Sequence, residues 1–173
     1  MIFYMPFLIG TGALPEADMS SGCIALSAFW GGDYKKLSVD EQPSKFLSSF
    51  SNEDSLYQLN GDAAKFDSIY GSWLEALAAW RKSIVLMVLP SNRGEIPGNA
   101  YAYVSLCRDL SVPLIGIVQL GGDWDSRNRK LDGLPWCGWL PIDELKKTGN
   151  SIIPMDTIVV CENIKRKMKD LNL

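Results

Sequence analysis

Two glycine-bearing segments near the start of the chain have the residue types that hold phosphate groups. Gly10-Thr11-Gly12 closes one apolar run, and Ser20-Ser21-Gly22 precedes the next. A phosphate loop needs a strand, a turn with free N–H groups, a Lys for the terminal phosphates, a Ser or Thr for magnesium, and then a helix. The chain has the turn and the hydroxyls but no Gly-Lys-Ser/Thr, and its first Lys is Lys35. Two readings follow. In one, Gly10, Thr11, Gly12, Ser20, Ser21 and Gly22 hold an anion weakly through backbone N–H groups and a helix dipole. In the other, they are a tight turn and a helix cap.

Further along, Arg93 and Glu95 lie in a Gly- and Pro-rich loop, and Asp123-Trp124-Asp125 in a polar one. Paired carboxylates suit acid/base work or magnesium, and an exposed Trp suits a contact surface. These five residues are the candidate ligand or partner contacts. The competing reading is a solvated ion pair in the first loop and an ordinary exposed loop in the second. Trp136 and Trp139 read as core.

Other chemistry is excluded by composition. The chain has no histidine, which removes Ser-His-Asp and Cys-His nucleophiles, a histidine base and a His-ligated metal. Cys23, Cys107, Cys137 and Cys161 show no metal-ligand spacing and read as buried thiols in a reducing compartment. No metal site is expected, and no cofactor is fixed by the sequence. The net charge of -3 gives no reason to expect nucleic acid. With 173 residues, 47% hydrophobic and 21% charged, the chain fits one folded domain. The opening MIFYMPFLIG is short and lacks a preceding basic residue, so it reads as a strand, not a signal or a membrane span. A cytoplasmic location is the expectation.

The elements that must position these residues follow from periodicity. Ile2 to Ile9 reads as a strand, short or at an edge because of Pro6. Cys23 to Trp30 reads as a helix capped by Ser20 or Ser21 and stopped by Gly31-Gly32. Residues 33–62 are polar with scattered aromatics and read as a loop-rich insertion, with a short helix over Ser44–Phe50. Ala63 to Arg81 carries Phe66, Ile69, Tyr70, Trp73, Leu74, Leu77 and Trp80 at spacings of three and four, which predicts a helix. Ser83–Leu89, Leu114–Leu120 and Trp136–Leu140 are continuous apolar runs, as in strands covered on both faces. A helix over Asn99–Leu110, capped by Asn99, joins the first two. Pro141–Lys147 predicts a short helix, Thr157–Val160 a last apolar run, and Glu162–Leu171 a basic amphipathic helix. Alternating β and α elements predict an α/β three-layer sandwich with a mainly parallel sheet. In such a sheet, loops Gly10–Gly22, Pro90–Gly98, Gly121–Asp132 and the residues after Leu140 share the carboxyl rim, where ligands bind.

The order from Trp73 to Leu140 resembles the second half of dethiobiotin synthetases and related P-loop ATPases. The stretch Pro135-Trp136-Cys137-Gly138-Trp139-Leu140-Pro141 looks like their P-x-x-G-x-x-P strand. The resemblance covers roughly 70 residues and implies a P-loop NTPase-like fold. The family's phosphate loop falls at Gly10–Cys23, where its Lys is missing. Its base-reading Asn falls near Leu120, beside Gln119. The resemblance therefore implies a degenerate, non-hydrolysing relative. Residues 83–117 also look like nucleoside deoxyribosyltransferase-like folds, but Asn99-Ala100-Tyr101 stands where the catalytic Glu region would be, and no Glu follows.

The functional expectation is a non-hydrolysing P-loop NTPase-like domain that serves as a protein-interaction or regulatory module, with weak nucleotide binding retained. The alternative is a nucleotide- or nucleoside-dependent enzyme using the rim carboxylates. The partner classes left open are a protein, a second copy of the chain and a nucleotide.

Overall fold

A computed structural model describes residues 5–50, 55–148 and 153–172. The sheet order is β2-β3-β1-β4-β5-β6. The strands are β1 (Phe7–Gly10), β2 (Asp33–Ser38), β3 (Ser55–Asn60), β4 (Ile84–Val88), β5 (Leu114–Leu120) and β6 (Trp136–Leu140). Every pairing is parallel. Helices α1 (Glu16–Trp30), α2 (Pro43–Ser48), α3 (Trp73–Ala79), α4 (Gly98–Asp109), α5 (Ser126–Leu131), α6 (Ile142–Thr148) and α7 (Met155–Asp170) complete the order.

Alternation along the strands divides the core. Phe7, Ile9, Leu59, Leu86, Val88 and Ile117 face α2, α3 and α4, meeting Leu47, Leu74, Leu77, Ala100 and Val104. Leu8, Val85, Met87, Val118 and Leu120 face α1, α6 and α7, meeting Met19, Leu26, Leu145, Ile164 and Met168. The fold is thus a three-layer α/β sandwich. Each fully buried Leu, Ile or Met contributes about 1.5–3 kcal/mol. No helix among the described residues is long and apolar enough to cross a membrane.

Several boundaries differ from the sequence expectation. Segment 33–62 is not loop-rich: its described residues supply β2, α2 and β3, a third of the strands of the sheet. The predicted helix Ala63–Arg81 is helical only from Trp73 to Ala79. Ser72 stops it short, because Ser72 Oγ accepts the Glu75 amide and Glu75 accepts the Ser72 amide. Helix α1 begins seven residues before Cys23, after Pro15, and ends at Gly31 with φ 70°, as expected of a glycine stop. Asn99 lies inside α4, and the cap position is Pro97. Residues Thr157–Val160 belong to the single helix α7. The loop Gly121–Asp132 contains α5. Strand β1 is short, and Pro6 precedes it, but it lies inside the sheet rather than at an edge. The rest of the predicted first strand, residues 2–4, lies outside the described residues.

All four thiols are free and buried. Burial pushes Cys107 and Cys161 up to about 12 and Cys137 up to about 11, from an ordinary 9.0. Cys23 is pushed up further by the same cause. The unfolded chain therefore loses these protons first. Stability that is complete below pH 9.0 is expected to fall from there towards pH 12, at on the order of 1 kcal/mol per thiol per pH unit. Urea midpoints at pH 8, 9 and 10 should decline steeply above 9, and a thiol reagent at pH 8 should label nothing until urea is added. Labelling of the native chain at pH 8 would contradict this.

Candidate functional site

Because all strands run the same way, every strand-end loop lies on one rim. Strand β1 leads into α1 on one face, while β3 and β4 lead into α3 and α4 on the other. That divergence opens a crevice at the carboxyl end of β1.

The β1–α1 turn is folded in on itself. The Thr11 amide donates to Met87 O and the Gly12 amide to Gly10 O, both at 2.9 Å. Gly12 has φ 94°, a left-handed conformation that a side chain would strain. The first turn of α1 carries Glu16 and Asp18, bonded to Lys36 and Lys146. These acids oppose an anion at that terminus. Ser20, Ser21 and Gly22 do not cap the helix or line the turn. They lie in the body of α1, where Ser21 Oγ donates to Ala17 O at 2.8 Å and Tyr34 donates to Ser20 Oγ at 3.2 Å. Gly22 lets α1 press on the sheet: a Cβ there would stand 2.7 Å from Leu120.

On the other side of the crevice, Asn99 Nδ2 donates to Thr11 O at 2.7 Å. The Tyr103 hydroxyl donates to Asp62, whose Oδ1 also accepts the Ala64 amide at 3.0 Å. Burial, and then the Asp62 bond, hold the Tyr103 phenol well above its ordinary value. It acts as a donor throughout the physiological range. Beyond Asp62, the chain makes a tight bend. Asp67 and Gly71 exchange backbone hydrogen bonds, and Asp67 Oδ1 accepts the Ile69 and Tyr70 amides at 2.8 and 2.9 Å. Those two bonds hold the Asp67 carboxyl below its ordinary value. The bend holds Phe66 and Ile69 in solvent, 68% and 77% exposed.

The second half of the rim is a cleft of about 630 Å³ between the β4–α4 and β5–α5 loops. Arg93, Glu95, Asp123 and Asp125 all line it, so four of the predicted contacts share one cavity. Trp124 does not. It stands edge-on to Trp136 at 5.5 Å. Asp125 caps α5 by accepting the Arg127 and Asn128 amides at 3.0 and 3.1 Å, so its carboxylate has a structural task. Arg93 and Glu95 do not pair with each other; their amides both donate to Ser91 Oγ, which shapes the loop.

The residue that organises the cleft was not evident from the sequence. Arg129 is 9% exposed. Its Nε donates to Gln119 Oε1 at 3.1 Å, and a terminal nitrogen donates to Gly94 O at 2.9 Å. Its guanidinium lies 6.0 Å from the Trp124 ring and 5.2 Å from that of Trp136. Asp132 stands 3.8 Å from it and accepts Trp136 Nε1 at 2.9 Å. The available signal was Asp125 four residues before Arg129, an N-cap followed by a basic last turn inside a polar loop. Gln119, beside the position the resemblance gave to base recognition, is wholly buried and committed to Arg129, Gly121 O and Asp123 O. Among the described residues, no group of three or more acidic or Cys side chains is placed to hold a metal ion.

No family model matches this chain, and no curated protein does. Among solved structures, it is similar to a DUF1611 family protein from Anabaena variabilis ATCC 29413, at 13% identity and a TM-score of 0.49. The match takes in 94% of this chain and 57% of that one, so the chain spans little more than half that protein's length.

Proposed function

We propose that this chain is a non-hydrolysing, P-loop NTPase-like α/β module that binds a protein partner through the bend at Phe66–Tyr70. The observation that carries the reading is the ordered display of Phe66 and Ile69. Apolar side chains on a mobile tail are unremarkable, but here Asp67, Gly71 and the Gln42–Tyr70 bond, at 2.8 Å, build a scaffold that keeps them out of the core. Ordered, exposed apolar groups are characteristic of contact surfaces. The absence of hydrolysis is supported by the inward-folded β1–α1 turn, its acidic first helical turn and the missing Lys, which leave little to stabilise charge on a transferring phosphoryl group.

The test uses the full chain and a Phe66→Ser/Ile69→Ser variant. Both sites are exposed, so unfolding stability should change by less than about 0.5 kcal/mol. Proteins that co-purify with the wild type at fixed stoichiometry should be lost from the variant, and neither should release phosphate from magnesium-ATP or magnesium-GTP. Equal retention of those proteins by the variant, or nucleotide hydrolysis by the wild type, contradicts the proposal.

A further inference from the structure

Three tryptophans meet around a cavity at the β6 edge of the sheet. Strand β6 is the outer strand on that side. Its register against β5 pairs Ile117 with Trp136 and then Val118 with Gly138, so Cys137 is an extra residue on β6. An extra residue breaks the alternation of a strand. Trp136 and Trp139, which strict alternation would send to opposite faces, accordingly line one cavity of about 200 Å³. Trp124 reaches it from the β5–α5 loop, and Asp156, Val159 and Asn163 close it from α7.

These walls offer aromatic surface and one negative charge. Trp136 Nε1 donates to Asp132 at 2.9 Å and Trp139 Nε1 to Gly121 O at 3.0 Å, so neither indole N–H is left for a ligand. Asn163 is committed at both ends: its Nδ2 donates to Cys137 O, and its Oδ1 accepts from Arg166. The Asp156 carboxylate is exposed and has no ion pair or hydrogen bond among the described residues. Two of the indoles already hold a cation, since the Arg129 guanidinium lies 5.2 Å from the Trp136 ring and 6.0 Å from that of Trp124. Arg129 lines the neighbouring cleft and not this cavity, so it leaves the surfaces on this side uncovered. No positively charged side chain lines the cavity, and an anion finds no counter-charge there. A primary ammonium brings three N–H groups that need acceptors, while a methylated one presents C–H surface with diffuse charge.

We infer that this cavity binds a methylated ammonium group, held against the tryptophans and beside Asp156. The cavity is smaller than the roughly 300–1,000 Å³ of sites that enclose a drug-sized molecule, so it takes the headgroup and leaves the rest of the ligand outside. Three strands separate β6 from β3, which leads into the docking bend, and the site is independent of that bend.

Titration of the full chain with choline chloride, read by tryptophan emission against sodium chloride at matched ionic strength, tests this. Three of the six tryptophans line the cavity, so emission should change saturably, with a midpoint of about 1 mM. Dimethylbutanol, the uncharged isostere in which carbon replaces the nitrogen, should bind at least about tenfold more weakly. Asp156→Asn should weaken choline binding about three- to tenfold. Val159 is 49% exposed, and Val159→Lys places a like charge beside the cavity. That variant should lose the response with the fold intact by circular dichroism. Tighter binding of choline than of blocked trimethyllysine assigns a free small molecule as the source, and the reverse assigns a modified protein. The Phe66→Ser/Ile69→Ser variant should respond like the wild type, which separates this site from the docking bend. No saturable response to choline, equal binding of dimethylbutanol, or an undiminished response in Asp156→Asn or Val159→Lys overturns the inference.

Discussion

Arg129→Ala is expected to cost about 3–5 kcal/mol, a large share of the stability of a domain this size. The guanidinium joins three separate pieces of chain. It bonds Gln119 on β5 and Gly94 in the loop before α4, and it lies against Trp124 and Trp136. Truncation leaves the Gln119 and Gly94 oxygens without their donor and a cavity between two indoles. It also leaves the Asp132 carboxylate, only 12% exposed, without its counter-charge. Arg129→Lys should recover only part of the loss, because one ammonium cannot reach both acceptors in the fork geometry of arginine. Urea unfolding followed by circular dichroism measures the cost, and tryptophan emission should shift to the red as Trp124 and Trp136 are wetted. A loss below about 1 kcal/mol for the alanine variant would mean that water replaces the guanidinium freely.

Gly116→Val should cost about 3 kcal/mol or more, by crowding instead of a cavity. A Cβ at Gly116 would stand 2.5 Å from Pro135 O, 2.6 Å from Cys137 Sγ and 3.1 Å from Lys167 Nζ. The first of these is backbone and cannot yield without moving β6. The register of β5 on β6 already shifts between Ile117 and Val118. Lys167 Nζ fills that irregularity, donating to Pro135 O at 2.8 Å and Trp136 O at 2.9 Å, while Asn163 Nδ2 holds Cys137 O at 2.8 Å. A valine forces out either the strand or the lysine, so β6 and α7 should lose amide protection before the other strands. Hydrogen exchange read by mass spectrometry resolves this. Uniform loss across the sheet would show that the damage is not confined to that corner.

The elements that were legible from the sequence are those whose surroundings are uniform. Strands β4 and β5 are apolar on both faces because helices cover both, and their side chains state this without ambiguity. Strand β2 was illegible because it is an outer strand with Lys35 and Lys36 on opposite faces, one over Tyr57 and one paired with Glu16. Such a strand has the composition of a loop. Strand β3 was hidden by Gln58, which is wholly buried but bonded to Tyr34 and Asn60. The overlong helix prediction shows the opposite error. Phe66, Ile69 and Tyr70 continue the spacing of Trp73 and Leu77, but Gly71 with φ 72° and the Ser72–Glu75 cap break the helix between them. The serine and glutamate were readable as a start signal; the apolar spacing outweighed them. At the rim, topology alone located the loops correctly, since parallel strands leave no other place for them. It could not show that α1 begins early enough to draw Ser20, Ser21 and Gly22 away from the turn, nor that Arg129 folds inward.

The position of β1 inside the sheet also bears on synthesis. Phe7 leaves the ribosome well before its partners in the sheet, Tyr57 and Ile84. At about 5–20 residues per second, the second of those partners trails it by roughly 4–15 s. For that interval the β4 side of β1 stays unmatched, and the nascent chain presents it to whatever greasy surface is near. A slower codon stretch between residues 60 and 84 would lengthen the exposure, while a holding chaperone at the exit tunnel would shield it.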